Sequence, residues 1–584
     1  SIDGLRIEHS DGLYDPEEYF LRLQQRFGGE PEQRPLYVVT EKILAAHERL
    51  PESWLVHGTT GYEFATLVST WLVCGDEEAR MSRRYRQFTE NEATFEALAY
   101  ESKRLVMRSS LAAEVEVLAT QLDRIAHLDR HTADFTRASL REAIREVIAC
   151  FPVYRTYVTG RGVHDADRRY IDWAVNAARR ASRIADPSVF DFVRSVLTLE
   201  AAPPSGARRR QMVEFAMRFQ QLTAPVVAKG VEDTAFYRYN RLIALNEVGN
   251  DPRDFGFSLK AFHAASEDRA RHWPYTMLAS STHDTKRSED VRARLGVLSE
   301  LASGWRMALR RWSLVNRSHR SELEGEPAPT RGDEYHFYQA LVGIWPGKSP
   351  QDLAARLKAY MLKAAREAKL RTSWINPDAG YEAALERFVE GALQSALFRK
   401  ELGDTVAPLA HLGLLVGLSQ ALLKVASPGV PDYYQGTELW DFSLVDPDNR
   451  RPVNYEKLKE LLEKDASPQD LLANLADGKA KQFVIAQGLK LRKDMPELFL
   501  EPKYTPLHAD GGMEERIVAF ALGDGGRRIV AVAPRLFAGM VKDEAGAPLG
   551  EVWGEARLGL PAGRYENVLT QETHDVGAEG LRLA

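Results

Sequence analysis

Cysteine is nearly absent from this 584-residue chain: Cys74 and Cys150 are the only two. Without metal-ligand spacing they exclude a disulfide scaffold and a cysteine zinc site, and they suit a reducing cytoplasm. Long apolar runs are missing as well. None reaches the roughly 20 residues that a membrane-spanning helix needs, and no basic stretch leads into an apolar one as in a secretory leader. Nor does charge of one sign accumulate, since 77 basic and 83 acidic residues are interspersed and leave a net charge of −6. Neither a nucleic-acid surface nor a membrane patch is expected. There is no internal repeat and no low-complexity tract. What is present is a 44% hydrophobic composition, enough for large cores and about three or four domains.

Short apolar runs alternate with helix patterns at the start: "GLRIE", "DPEEYFLRLQQRF", "LYVVTEKIL", "WLVHGTTGYEF". Strand, helix, strand, helix predicts parallel βα units over 1–75. Long stretches rich in Ala, Arg, Glu and Leu then predict a helical insertion over 76–215, with the "APPSGA" cluster near its end. Strand signals return at "YTMLASSTHD" and at "ASPGVPDYYQG", with a second helical excursion between them, within 216–480. Short strands and Gly-rich turns over 481–584 predict an antiparallel β-sandwich.

In a (β/α)8 barrel, function gathers where the strands end, because the loops there share one mouth. Three predicted strand ends carry acids: Glu8 after "GLRI", Glu41 after "YVVT" and Asp284 after "LASSTH". Parity aligns Arg6 with Glu8, and Tyr37 and Val39 with Glu41, so two carboxylates can meet. Two close carboxylates with a third acid suit retaining glycoside chemistry, one attacking the anomeric carbon and the other protonating the leaving oxygen. Singly, an acid at a strand end is most often a helix cap or a surface ion pair. "AFYRYN" and "DYYQG" read as core packing or as sugar platforms. Asp11 reads as a turn or cap residue. The joint order of the acids favours chemistry.

These residues carry a resemblance. "GLRIEH", "VVTEKIL", "STHD" and "SPGVPDYYQGTELWDFSLVDPDNRRPVNY" resemble strands four, five, seven and eight of the α-amylase clan of glycoside hydrolases. Within it, "HGTTGYEF", "AKGVEDTAFYRYNRLIALNEVGNDP" and "REAKLRTSWINPDAGYE" are similar to the maltooligosyltrehalose synthase family. The resemblance implies an α/β fold: an α-amylase-type TIM barrel with large helical insertions and a C-terminal sandwich. It implies an intramolecular transglycosylase that turns the reducing-end α-1,4 linkage of a maltooligosaccharide into an α,α-1,1 linkage, in the cytoplasm and with no cofactor or metal. Carried over, the nucleophile falls on Glu8, the general acid/base on Glu41 and the transition-state stabiliser on Asp284. Arg6, His9 and His283 surround the anomeric centre. Lys229, Phe236, Tyr237, Arg238, Tyr239 and Tyr433 are substrate-binding candidates. The alternatives are an α-glucan hydrolase of the same clan and a catalytically silent glucan-binding protein.

Two departures stand out. The clan's nucleophile is Asp, and Glu8 adds a methylene, displacing the carboxylate by roughly 1 Å, a misplacement that can cost about a hundredfold in rate. The resemblance also begins at strand four, so an N-terminal segment of the same protein is expected as the partner that completes the barrel.

Overall fold

A computed structural model describes residues 2–28, 30, 33–182, 184, 186–346, 352–524, 526–541 and 546–583. The chain forms two compact units, one of residues 1–60 and 93–239 and the other of 61–92 and 240–584. This partition differs from the four consecutive segments expected. The helix Ala207–Val227 runs straight through residue 215, and "APPSGA" is only the turn before it.

In the first unit, β1 (Gly4–Ile7) and β2 (Tyr37–Thr40) pair in parallel, with Gly4 opposite Tyr37 and Ile7 opposite Thr40. The helix between them, Pro16–Arg26, starts at Asp15, whose carboxylate accepts the Glu18 N–H at 3.1 Å, with proline as first helical residue. It buries Phe20 and Gln24, and the Gln24 amide fastens to the Leu36 N–H (3.1 Å) and carbonyl (3.0 Å) and to the Leu55 carbonyl (2.9 Å). A third segment, 57–60, runs beside β2 through a parallel bridge from Thr59 to Thr40 and backbone bonds from the His57 N–H to the Val38 carbonyl (2.6 Å) and from the Thr40 N–H to the Gly58 carbonyl (3.0 Å).

Residues 93–239 are helical. Spacings of three and four put Leu140, Ala143, Ile144, Val147 and Ile148 on the buried face of Arg137–Ala149. Ile171, Ala174, Val175 and Ala178 do the same for Asp165–Ala181, and these faces share one core. The helix Ala207–Val227 contains Pro225 and widens into a π-helix, Ala228–Ala235, before a last turn, Phe236–Arg238. Gly230 lets the widened segment touch the helix Phe95–Arg108, because a Cβ there would lie 2.8 Å from the Lys103 Cα.

In the second unit, β3 (Met277–Leu278) pairs in parallel with β4 (Val430–Pro431), each far shorter than its apolar run suggests. Gly61, at φ 93°, passes so close to β3 that a Cβ would sit 2.5 Å from the Ala279 nitrogen. Helix Ala396–Ala426 precedes β4 and is apolar enough, by length and composition, to cross a membrane, unlike anything read from uninterrupted runs. Its most apolar window is 61% buried inside the protein, which is how a core helix is placed. Towards the C-terminus, Tyr504–Leu507, Ile517–Leu522 and Ile529–Pro534 form an antiparallel sheet, and Gly563–Glu566 pairs with Thr573–Val576. Leu507, Ile517, Trp553, Leu558 and Val576 pack together there.

Candidate active site

The ends of β1 and β2 are tied to each other through Glu41. Its backbone N–H donates to the Ile7 carbonyl (2.7 Å), its carbonyl accepts from the Ser10 hydroxyl (2.8 Å), and its carboxylate accepts the His9 N–H at 2.5 Å. His9 aims that N–H by adopting the left-handed conformation (φ 52°, ψ 45°), a costly one for a residue with a side chain. Arg6 and Glu8 share the other side of β1, as parity requires, and pair at 3.2 Å in a part-exposed position. The β1–β2 register carried one residue past Ile7 and Thr40 sets Glu8 beside Glu41. Two carboxylates thus stand at neighbouring strand ends, one against a guanidinium and one on a backbone amide.

Directly behind Glu41 lies Lys42, fully buried. Its ammonium meets Glu48 at 2.9 Å, Asp11 at 3.3 Å and the Ile43 carbonyl at 2.9 Å. Burial alone pulls the Lys42 pKa down, but Asp11 and Glu48 outweigh it and hold it above its ordinary value. Burial lifts Glu48 above the usual carboxylate range even with Lys42 against it. Asp11 also accepts the Tyr157 hydroxyl, while Arg155 donates to the Asp11 and Leu13 carbonyls at 2.7 and 2.6 Å. Asp11 therefore belongs to a 3-10 turn, as expected, yet its carboxylate serves an internal ion pair and not a cap. The neighbouring Tyr154 hydroxyl donates to Glu232 on the π-helix.

Along that π-helix, Lys229 is exposed and pairs with Asp233 at 2.7 Å. Phe236 is 2% exposed, stacked on Phe95 with ring centres 6.0 Å apart, and Tyr237 is 3% exposed. Arg238 and Tyr239 are half-buried, and burial lowers the Arg238 pKa. Phe236 is thus placed as core packing, with Tyr239 against the same Phe95 ring at 5.6 Å.

The second unit carries the remaining candidates. After β3, the Thr282 hydroxyl accepts the Asp284 N–H (3.1 Å) and meets the Tyr62 hydroxyl (3.0 Å), and the Asn449 amide donates to the His283 carbonyl (3.1 Å). These bonds fix the loop while the Asp284 carboxylate stays half-exposed, 3.5 Å from His283 and 4.0 Å from Arg450. Below the loop, Lys481 meets Glu289 at 2.6 Å and Asp290 at 2.8 Å, and Lys424 meets Glu289 at 3.4 Å. Burial pushes Glu289 up, but the two ammoniums prevail and hold it low. Tyr433 lays its ring on the Lys424 ammonium at 4.0 Å and packs near Ala421 and Ile485. Sequence reasoning missed Lys42, Glu48, Tyr154, Lys424 and Lys481. The one available signal was a lysine set between the acid and the apolar residues of "TEKIL", where an unpaired charge would be costly.

No family model matches the chain. A Mycobacterium tuberculosis protein provisionally named maltooligosyl trehalose synthase is 33% identical over 571 residues, which is 97% of this chain and 66% of that relative. The chain thus spans about two thirds of the curated relatives' length. The solved maltooligosyltrehalose synthase of Arthrobacter ramosus superposes with a TM-score of 0.82 at 35% identity, covering 98% of this chain and 67% of that one. A Sulfolobus tokodaii structure titled a hypothetical maltooligosyl trehalose synthase gives 0.76 at 28% identity, with 98% and 68% covered.

Proposed function

The chain belongs to the maltooligosyl trehalose synthase family, and on that premise we propose that it converts the reducing-end α-1,4 linkage of a maltooligosaccharide to α,α-1,1. On this reading Glu41 protonates the glycosidic oxygen while Glu8 attacks the anomeric carbon, breaking the bond to the terminal glucose and forming a glycosyl-enzyme ester. The freed glucose stays, its anomeric hydroxyl returns a proton to Glu41, and its oxygen displaces Glu8. Two inversions give net retention, and the product is maltooligosyl trehalose. Asp284 is the third acid, holding sugar hydroxyls, with Arg6, His9 and His283 around the anomeric centre. Water must be kept from the ester, or the outcome is hydrolysis. The π-helix with Lys229, Arg238 and Tyr239 is the proposed wall.

The observation that carries this reading is the fastening of Glu41 to the end of β1, beside a Glu8 that already faces Arg6. In this scheme β1, β2, the Thr59 segment, β3 and β4 are strands four to eight of a (β/α)8 barrel, the strands from Tyr504 onward are its β-sandwich, since residues expected in the sandwich from 481 lie in the helices Lys479–Asp494 and Pro496–Leu500, and residues matching the relatives' remaining third supply the other strands. The free thiols Cys74 and Cys150 suit work in the cytoplasm. The test is incubation with a maltooligosaccharide of about five glucose units, a chain long enough to be cleaved by the proposed double displacement, following reducing ends and the anomeric proton spectrum together. Loss of reducing ends with a new α,α-1,1 signal is expected. Constant or rising reducing ends refute the proposal.

A further inference from the structure

The second unit holds a groove of about 580 Å³ built from guanidinium groups. Arg84 comes from helix Glu78–Thr89, Arg306 and Arg310 from helix Ala302–Val315, Arg317 and Arg320 from the turn beyond it, and Arg331 from the start of helix Arg331–Ile344. Among the described residues no carboxylate lines the groove. Beneath it, the buried Glu334 takes Arg331 at 2.7 Å and Arg320 at 3.4 Å. Among the described residues no acid comes within ion-pair distance of Arg84, Arg306, Arg310 or Arg317. The Nε atoms of Arg84 and Arg320 are buried without a hydrogen-bond partner. Partial burial and then the nearby Arg306, Arg83 and Arg80 push the Arg84 pKa down.

In a chain of net charge −6, such a gathering of one sign opposes folding, since Arg306 and Arg310 stand one helical turn apart and repel. An anion in the groove removes that opposition. We propose that the groove binds a small polyphosphate, an anion carrying two or more phosphoryl groups.

The chemistry narrows the ligand in three ways. Planar, forked guanidiniums match phosphate oxygens in pairs. Four guanidiniums without a carboxylate exceed the charge of one phosphate, which is about −2 at neutral pH. The groove offers no free aromatic face for a base, because the Phe88 ring is covered by the Arg331 guanidinium at 4.0 Å. Recognition therefore falls on the phosphate chain, whether free or carried by a nucleotide.

The test is calorimetric titration of the whole chain with sodium tripolyphosphate at low salt, repeated with metal-free ATP, AMP and a DNA duplex. Saturable binding of tripolyphosphate is expected, with ATP comparable and AMP at least about tenfold weaker. An Arg306→Ala/Arg310→Ala double variant should lose at least about tenfold in affinity, with a melting temperature equal to or above that of the parent, since the repulsion is relieved. Arg306→Lys/Arg310→Lys should fall between. Lys457→Ala/Lys459→Ala, which removes two charges outside the groove, should change nothing. The proposal is overturned by absent saturable binding, by equal affinity in the alanine variant, by equal loss in the lysine control, or by tighter binding of AMP or the duplex.

Discussion

Replacing Lys42 by Met is the sharpest test of the scaffold behind Glu41. The substitution keeps the unbranched stem of the side chain and deletes an ammonium that is fully buried between Glu48 (2.9 Å) and Asp11 (3.3 Å). Two carboxylates then remain inside without a counter-charge, and breaking a buried pair on one side costs about 3–5 kcal/mol. For a unit of about two hundred residues that is a drop in melting temperature of roughly 6–20 °C at neutral pH. The pH dependence identifies the cause. Burial already holds Glu48 above its unfolded pKa, and Lys42 is the main influence lowering it. In the variant the folded state binds a proton over a wider pH range than the unfolded state does, so stability falls as pH rises through that window, by up to about 1.4 kcal/mol per unit. Melting of Lys42→Met and the parent should therefore differ most near pH 7.5 and converge towards pH 4.5. A deficit of constant size across that range, or one below about 1 kcal/mol, would show that Lys42 is not the counter-charge of a buried carboxylate.

Other outcomes follow from geometry already described. Glu41→Gln should lower turnover of maltooligosaccharide by about a hundred- to ten-thousand-fold by removing the transferable proton, as read by anomeric proton spectra. Gly230→Ala drives a Cβ to 2.8 Å from the Lys103 Cα and should destabilise by about 1–3 kcal/mol in urea denaturation. Glu300, whose pKa burial raises to about 7 although the Ala538 N–H at 2.9 Å opposes it, removes stability as pH climbs from its unfolded value through 7. Glu300→Gln should therefore gain about 3 kcal/mol at pH 8 and nothing at pH 4, measured by the same denaturation.

Alternation was a sound guide where a strand has one charged face: Arg6 and Glu8 were expected on one side of β1, and they pair there. The helix after β1 was equally readable, with Asp15 and Pro16 marking its start. The π-helix was not, because "AKGVEDTA" carries ordinary helix formers, and the approach of Lys103 to Gly230 is a tertiary contact. Lys42 and Glu48 escaped because a buried ion pair is specified by what surrounds it, and Asp11, Tyr154 and Tyr157 lie far from them in the chain. The apolar helix Ala396–Ala426 shows the converse, since its composition fits a membrane and only its burial places it elsewhere. The helix Ala207–Val227 crosses residue 215 without a breaker there, and the division into compact units follows contacts that composition does not carry.

The interleaving of the two units sets a schedule for the ribosome. Residues 61–92 emerge early but belong with residues that begin at 240, and residues 1–60 cannot close until Tyr239 has been made. At about 5–20 residues per second, β1, β2 and the helix Tyr62–Trp71 wait roughly 10–45 s for their partners. The nascent chain must pass that interval with apolar residues such as Phe20, Val38 and Trp71 uncovered, and chaperone binding during synthesis should concentrate there.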